Sequence, residues 1–147
     1  MRAALSSLAL FIVLVSRSLA AQDRQVLHGS GEVRGLPFSS AVRVGNMLYL
    51  SGQIGNVPGT SQLADTGIAG QTRQALENIN ASARVRGELA RAGGEVHGVP
   101  HGHQGLRGYE RGVRDVFPKD PPARSTVAGS EPALGARVEI ECLAVAG

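Results

Sequence analysis

The sequence predicts an α+β domain in which helices pack on one face of a β-sheet, and three observations support this fold class. Two apolar runs flank the turn dipeptide Gly45-Asn46, which is typical of a β-hairpin. Apolar residues then recur at helical spacing over 68–83. Apolar and acidic residues alternate strictly over 138–142, which indicates a strand with two different faces. A chain of 147 residues has room for one domain.

The first 20 residues have the features of a secretory signal peptide. Arg2 supplies a positive charge, the stretch 8–15 is mostly apolar, and Ser18 and Ala20 place small residues where a signal peptidase reads. A signal anchor is the alternative, but the apolar stretch is far shorter than the roughly 20 residues that span a bilayer. We expect cleavage near Ala20 and a mature periplasmic or secreted protein with no membrane segment.

Residues 21–36 are polar and contain glycine without any period, so we expect a flexible lead-in without regular structure. The domain itself is expected to span 37–147. Residues 41–44 form the first strand of the predicted hairpin, and residues 47–50 form the second.

An amphipathic helix is predicted after a loop over residues 55–64. Asp65 or Thr66 can cap its first turn. The apolar positions that recur at helical spacing are Ile68, Ala75, Leu76, Ile79 and Ala83. Polar residues lie largely on the other side, so the helix is expected to lie on the sheet.

Two further strands are predicted near the end of the chain, a short one at 125–127 and a longer one at 135–145. In the longer strand the glutamates Glu139 and Glu141 share one face, and the apolar residues share the other. Two glutamates on one strand face often indicate nothing more than a solvated face. A functional role for either glutamate therefore needs further support.

Charge and cysteine content exclude some classes of protein. Removal of residues 1–20 takes away Arg2 and Arg17 and leaves 13 basic against 12 acidic side chains. A nearly neutral chain lacks the strongly basic character of most nucleic-acid binders, so we expect no nucleic-acid partner. Cys142 is the single cysteine, which excludes an intrachain disulfide and indicates a small buried hydrophobic residue.

Five short motifs stand out along the chain. They are P-F-S-S-A-V at 37–42, S-G-Q-I at 51–54, Q-T-R-Q-A-L-E-N at 71–78, P-A-R-S at 122–125 and V-E-I-E at 138–141. Five motifs in one order are far more specific than any single motif. In their wording, order and spacing they resemble the motifs of the Rid, or YjgF-type, family of reactive intermediate deaminases.

The resemblance implies a fold, an assembly and an activity. Rid proteins are small α/β domains with a chorismate-mutase-like fold, and they are normally homotrimers with active sites in the clefts between subunits. Their activity is the hydrolysis of reactive imines and enamines, such as 2-aminoacrylate or 2-iminopropionate, to keto acids and ammonia. The resemblance implies that neither a cofactor nor a metal takes part.

The resemblance also assigns catalytic roles to two residues. Arg124, in the P-A-R-S motif, is implied to bind the substrate carboxylate. A planar guanidinium can do this through two parallel hydrogen bonds, which fix the position of the imine carbon. A surface ion pair is the alternative for Arg124. Glu139 matches the family glutamate that positions or activates the attacking water, a general acid/base role.

Three further residues are implied to bind substrate. Gly52 lies where the family brings backbone close to the substrate, which a residue without Cβ permits. Thr126 replaces a frequent cysteine at a position where the backbone makes the contact. Phe38 replaces the common tyrosine, so it keeps an aromatic wall but lacks the hydroxyl group.

Residues 84–116 depart from the family, which has an apolar strand and a second amphipathic helix in this region. The segment is rich in Gly and Arg, and Pro100 stands where a central strand should pass. Its composition favours a loop, so the central strand and the second helix are in doubt.

Two interpretations of this segment are open. His97, His101 and His103 could form a metal cluster, but they have no companion ligands in the sequence, so we expect no metal site. Alternatively, a pair of compensating frameshifts, in the gene or in its sequencing, changed these residues without changing their number. The second hypothesis is favoured because the segment keeps the length that the family requires.

Several functions are compatible with these observations. The expected activity is that of an imine or enamine deaminase that uses Arg124 and Glu139. One alternative is an endoribonuclease or translation inhibitor, as some Rid proteins are described. Another is a trimer that binds a small carboxylate without turnover, and a fourth is the poorly folded product of a damaged gene.

Overall fold

The computed structural model describes residues 23–29, 32–64, 67–84, 91–97, 103–127 and 131–146. Within these residues the chain forms six strands, two helices and a short 3₁₀ turn. In chain order the strands and helices are β1 (Arg24–Leu27), β2 (Ala41–Val44), β3 (Met47–Ile54), α1 (Gly67–Ala83), β4 (Arg91–His97), α2 (His103–Val116), β5 (Thr126–Val127) and β6 (Glu139–Val145). The 3₁₀ turn, Ala133–Gly135, precedes β6.

The strands form one sheet in the order β1-β2-β3-β6-β4-β5. All neighbours are antiparallel except β4 and β5, which are parallel. The last strand of the chain, β6, therefore lies between β3 and β4 in the middle of the sheet. This position places the residues of β6 beside those of the early S-G-Q-I motif.

The predicted hairpin and the predicted first helix are both confirmed. β2 and β3 pair around Gly45-Asn46, and Gly45 has a φ of 61°. This left-handed conformation suits glycine because glycine has no Cβ to clash with the backbone. α1 begins at Gly67 and ends at Ala83, and it buries the apolar positions Ala75, Leu76, Ile79 and Ala83.

Both helices pack on one face of the sheet, as the sequence predicts. From the sheet the core receives Leu48 and Leu50 of β3 and Ile140, Cys142 and Ala144 of β6. From α2 it receives Tyr109, which is only 1 % exposed. The alternation over 138–142 is thus confirmed, because Val138, Ile140 and Cys142 are buried, whereas Glu139 and Glu141 lie on the other face of the strand.

Gly108 and Gly112 allow α2 to approach α1 closely. A Cβ at Gly112 would lie 2.5 Å from the carbonyl oxygen of Ala69 and 2.7 Å from Cβ of Thr72. Both distances are far below ordinary van der Waals contact, so a larger residue would push the helices apart. Ala69 and Thr72 belong to the face of α1 that meets α2.

The prediction of a loop in the central segment is wrong for two of its parts, because β4 spans Arg91–His97 and α2 spans His103–Val116. Glycine weakens a strand, but β4 pairs with β6 along Arg91–Glu95 and with β5 at Val96 and His97, which gives its backbone hydrogen-bond partners along its length. In α2, the Gly- and Arg-rich composition hid an apolar stripe at helical spacing. The stripe consists of Leu106, Tyr109, Val113 and Val116. Pro100 lies outside the described residues.

The structure differs from the sequence prediction at two other places. The expectation of no regular structure over 21–36 is wrong for β1, which pairs along β2 and buries Leu27. A four-residue edge strand carries too little periodicity to be recognised from sequence. The last strand begins at Glu139 instead of residue 135, because the 3₁₀ turn occupies the preceding residues, with φ values of 58° at Leu134 and 70° at Gly135.

Neither of the described helices is long and apolar enough to cross a membrane. The expected signal peptide, residues 1–20, and the capping candidates Asp65 and Thr66 lie outside the described residues.

Candidate active site

A cleft of about 610 Å³ lies at the C-terminal end of β3, where it is lined by α1, by residues 32–40 and by the loop 56–61. Its floor comes from Gly52, Gln53 and Ile54 of β3 and from Glu139, the first residue of β6. One wall is the polar face of α1, and the opposite wall comes from residues 32–40 and from the 3₁₀ turn. The cleft brings together three of the five predicted site residues, which are Phe38, Gly52 and Glu139.

The contact between Gly52 and Glu139 depends on an irregularity in β3. The register between β3 and β6 shifts between Leu50 and Gln53, which indicates a β-bulge around Gly52. A Cβ at Gly52 would overlap the Oε1 atom of Glu139. Only glycine therefore lets the carboxylate of Glu139 lie directly against the backbone of β3.

The carboxylate of Glu139 makes no hydrogen bond within the described part of the chain. Its side chain is half-buried and lies on the cleft floor, whereas neighbouring Glu141 is exposed. The side-chain oxygens of Glu139 are thus available to accept a hydrogen bond from a molecule in the cleft. This arrangement favours the functional interpretation of Glu139 over that of a merely solvated residue.

Phe38 lies at the mouth of the cleft, where half of its surface (51 %) is exposed. The loop that carries it is tied to β3, because the Ser51 hydroxyl donates to the Ser39 carbonyl at 2.6 Å and the Ser51 N–H donates to the Ser40 carbonyl at 3.0 Å. Phe38 therefore presents an exposed aromatic surface from an anchored loop.

A second carboxylate, that of Glu32, lines the cleft and was missed by the sequence analysis. It accepts a hydrogen bond from the Ser40 hydroxyl at 2.6 Å and lies 3.0 Å from Nδ1 of His28. The hydrogen bond from Ser40, more than the contact with His28, lowers the pKa of Glu32 below its usual value. Glu32 belongs to the aperiodic segment 21–36, which contains no sequence signal that would have identified it.

Asn78, from the Q-T-R-Q-A-L-E-N motif, holds the wall of the cleft together. Its side-chain amide donates to the carbonyl oxygens of Ile54 at 3.2 Å and Asn56 at 3.0 Å, and its Oδ1 accepts from Gln74 at 3.0 Å. Asn78 is buried, so these bonds join α1 to the chain that leaves β3. Asn78 therefore helps to fix the shape of the cleft.

Arg124 and Thr126 do not line this cleft. Arg124 donates from Nη1 to the Thr126 hydroxyl at 2.9 Å and from Nη2 to Oε1 of Glu110 at 3.0 Å. Its guanidinium carbon lies 5.3 Å from the centre of the Tyr109 ring. Since β4 separates β5 from β6, this second cluster lies about two strand spacings, roughly 10 Å, from the strand that carries Glu139.

Cys142 does not add a reactive centre to the described part of the chain. Cys142 is buried, and burial raises the pKa of its thiol to about 11, so it stays protonated at neutral pH. No group of three or more His, Cys, Asp or Glu residues in the described part of the chain could hold a metal ion. His101 lies outside the described residues, as do the side chains of His97 and His103, so the proposed histidine cluster itself is not tested.

Comparison with known sequences identifies relatives of this chain. The family model described as "Endoribonuclease L-PSP" matches residues 34–93. A protein of Dermatophagoides farinae named 2-iminobutanoate/2-iminopropanoate deaminase is 34 % identical over 109 residues, which cover 74 % of this chain and 85 % of that protein. A Bos taurus protein of the same name is 36 % identical over 118 residues, which cover 76 % of this chain and 81 % of its own length.

Solved structures give the same result. The yjgF gene product of E. coli is 25 % identical and superposes with a TM-score of 0.72 over 82 % of this chain and 98 % of its own. RidA from an Antarctic Psychrobacter is 25 % identical, with a TM-score of 0.69 over 82 % and 98 % of the two chains. The chain shares its fold with these structures and is 34 % and 36 % identical to the two deaminases over 74 % and 76 % of its length, and it therefore belongs to the Rid family, also described as the L-PSP endoribonuclease family.

Proposed function

We propose that this protein is a hydrolytic deaminase that converts 2-imino acids and their enamine tautomers to 2-keto acids and ammonia. The observation that carries this proposal is the identity of 34 % and 36 % to proteins named 2-iminobutanoate/2-iminopropanoate deaminases, over more than four fifths of their length. The carboxylate of Glu139, which accepts no hydrogen bond from the described residues, lies on the floor of the cleft and supplies the acid/base group that such a reaction needs.

The reaction requires one water molecule and no oxidant. Water adds to the imine carbon and forms a carbinolamine, whose carbon–nitrogen bond then breaks to give the 2-keto acid and ammonia. Glu139 accepts a proton from the attacking water and returns a proton to the departing nitrogen. The half-buried position of Glu139 against the Gly52 backbone keeps its carboxylate at one place during both steps.

The described residues of the cleft provide no cation for the substrate carboxylate. The charged lining residues of the cleft are the acids Glu32, Glu77 and Glu139, and it includes no Arg, Lys or His among the described residues. Arg124 lies in the separate cluster with Thr126. We propose that Arg124 and Thr126 of a neighbouring copy complete each cleft, so that the active site forms between subunits.

The open face of the sheet supports such an assembly. On the side away from the helices, Val26, Val42, Tyr49 and Leu143 are cross-strand neighbours in one row over four strands. Val26, Tyr49 and Leu143 are all exposed in the single chain, as is Val145 beside them. An exposed apolar patch of this kind is typical of a protein interface. We propose that three copies pack these faces together as a homotrimer.

The proposal is tested by measuring keto-acid and ammonia release from 2-iminobutanoate, which an amino-acid oxidase generates in the assay. We expect hydrolysis above the spontaneous rate, and we expect Arg124→Ala and Glu139→Gln each to reduce kcat/KM by roughly 100-fold or more. Wild-type protein that is folded but no faster than buffer would contradict the activity. Binding of 2-oxobutanoate without turnover would instead identify a carboxylate-binding protein.

The description of the matching family model favours one other function, that of an endoribonuclease. The acidic cleft argues against it, because RNA carries one negative charge per nucleotide and requires a basic surface. Ribonuclease activity that copurifies with the protein and disappears in Arg124→Ala would revive this function.

We further propose that the protein is exported and that the signal peptide is removed near Ala20. Arg2, the short apolar stretch at 8–15 and the small residues Ser18 and Ala20 support this proposal. Sequencing the N-terminus of protein from the periplasm or medium should give a chain that begins near Ala21. Recovery of the protein from the cytoplasm with Met1 retained would contradict export.

A further inference from the structure

The cluster around Arg124 contains an acidic residue to which the proposed reaction assigns no role. Glu110 lies on α2, and its Oε1 accepts a hydrogen bond from Nη2 of Arg124 at 3.0 Å. On the opposite side of the guanidinium, the Thr126 hydroxyl accepts from Nη1 at 2.9 Å. Arg124 is thus held between one helix and one strand, and both of these elements belong to the folded domain.

The ring of Tyr109 completes this support. Tyr109 is fully buried in the core, and its centre lies 5.3 Å from the guanidinium carbon of Arg124. A guanidinium at this distance from an aromatic face is attracted by the ring. The position of the cation is therefore determined from three directions, by Glu110, Thr126 and Tyr109.

These contacts leave Arg124 able to bind an anion. A guanidinium has five N–H donors, and two of them are used within the described residues. Three remain, and a bidentate bond to a carboxylate needs two. The side chain of Arg124 is also 36 % exposed, so a carboxylate can reach it from solvent or from a neighbouring copy.

Arg114 limits the extent to which Glu110 neutralises Arg124. Oε2 of Glu110 lies 3.8 Å from Nη2 of Arg114, one helical turn along α2. The single negative charge of Glu110 is consequently shared between two arginines. The cluster keeps a net positive charge, as the binding of an anionic substrate requires.

We propose that Glu110 is a positioning residue, which holds the guanidinium of Arg124 in the orientation that receives the substrate carboxylate. This inference rests on the proposed function of Arg124. A long arginine side chain without such support samples many rotamers, and each binding event must then restrict them. Glu110 restricts the side chain before the substrate arrives, and it does so without touching the substrate.

The test compares Glu110→Ala with Glu110→Gln. We expect Glu110→Ala to lower kcat/KM for 2-iminobutanoate by roughly tenfold, mainly through a higher KM, and to weaken binding of 2-oxobutanoate by a similar factor. Glu110→Gln keeps a hydrogen-bond acceptor and should restore most of both values. Melting temperature should stay near that of wild type, because an exposed ion pair contributes little to stability.

Asp115→Asn is the matched control, because it removes an ion pair with Arg73 of similar exposure from the same helix. It should leave KM and 2-oxobutanoate affinity unchanged. Glu110→Ala kinetics that equal those of Asp115→Asn would overturn the proposal. The proposal would also be overturned if Glu110→Ala lost activity only in proportion to the loss of folded protein and its affinity for 2-oxobutanoate were unchanged.

Variants at Arg124 separate the two proposals from each other. If Arg124→Ala is as active as wild type, the assigned role of Arg124 fails, and with it the basis of this inference. If Arg124→Ala is inactive while Glu110→Ala is fully active, only the positioning role fails. In the double variant, loss of Glu110 should add nothing to the loss of Arg124, because the two residues act through one interaction.

Discussion

At the scale of single residues, the site depends on the absence of a Cβ atom at Gly52. The family motif predicts a close approach of backbone to substrate, and the structure adds that the Glu139 carboxylate occupies the space that a Cβ would need. Gly52 has no left-handed φ, so the requirement for glycine here arises from the neighbouring side chain and not from backbone strain.

We therefore expect Gly52→Ala to lower kcat/KM by roughly tenfold or more with little change in melting temperature, because Glu139 can move toward the open cleft but leaves its catalytic position. Gly67→Ala is the control, since Gly67 has a φ of 65° with nothing near its Cβ. It should lower stability and leave kcat unchanged. Equal kinetics in the two variants would show that Gly52 has no role in placing Glu139.

Because the thiol of Cys142 is buried, we expect the free energy of unfolding to fall at alkaline pH. Burial raises the pKa of its thiol to about 11 in the folded chain, above the value of about 8.5 for an unfolded cysteine. Between these values the unfolded chain loses the proton first, so the free energy of unfolding falls as pH rises from 8.5 toward 11. Between pH 8 and pH 10.5 the urea midpoint should therefore fall more for wild type than for Cys142→Ala. An equal fall in both proteins would show that the thiol of Cys142 does not cause the loss of stability.

At the scale of elements, α2 was the least expected part of the fold. Its apolar stripe meets α1 at a distance that Gly112 sets. Gly112→Ala would gain helix propensity of about 1 kcal/mol, but the new methyl group would overlap Ala69 and Thr72 of α1, and overpacking costs about 1 to 3 kcal/mol. Because the overlap involves backbone and a β-branched residue, the loss should exceed the gain.

Urea unfolding should accordingly show Gly112→Ala to be about 1 kcal/mol less stable than wild type. Arg111→Ala, on the exposed side of the same helix, should be within about 0.5 kcal/mol of wild type. A Gly112→Ala variant that is more stable than wild type would show that the two helices do not pack as described.

The elements also show what sequence could and could not predict. Alternation over 138–142 and helical spacing over 68–83 predicted β6 and α1, because one buried face imposes a period on a long element. α2 has the same kind of stripe, but glycines and arginines between the apolar residues hid it. The contact of Glu110 with Arg124 joins residues 14 positions apart through the fold, and no local pattern indicates such a pair.

The frameshift hypothesis for residues 84–116 stays a prediction. The presence of β4 and α2 does not show whether frameshifts produced these residues. Only the DNA sequence of the gene can decide this. Resequencing should reveal a pair of compensating shifts. A reading frame that encodes the residues as written would contradict shifts introduced by sequencing, and a gene whose other frames do not encode the strand and helix of the family would contradict shifts in the gene itself.

At the scale of the whole molecule, the apolar row on the open sheet face is proposed to be an interface between copies. Leu143 lies in this row and is exposed in the single chain, so Leu143→Glu should be tolerated by the isolated fold but not by an apolar interface. Analytical ultracentrifugation should give the mass of a trimer for wild type and that of a monomer for Leu143→Glu. Arg111→Glu, on the helical side, should remain trimeric, and a wild-type monomer would contradict the proposal.

The central claim is that Glu139 of one copy and Arg124 of the next form one active site for imine hydrolysis. It is tested most directly by mixing Arg124→Ala and Glu139→Gln chains under conditions that exchange subunits, and then measuring ammonia and keto-acid release from 2-iminobutanoate. Each variant alone should be inactive, and an equal mixture should recover about one quarter of wild-type activity, because a quarter of the sites in randomly mixed rings combine both intact residues. Exchanged trimers that remain inactive would contradict the account.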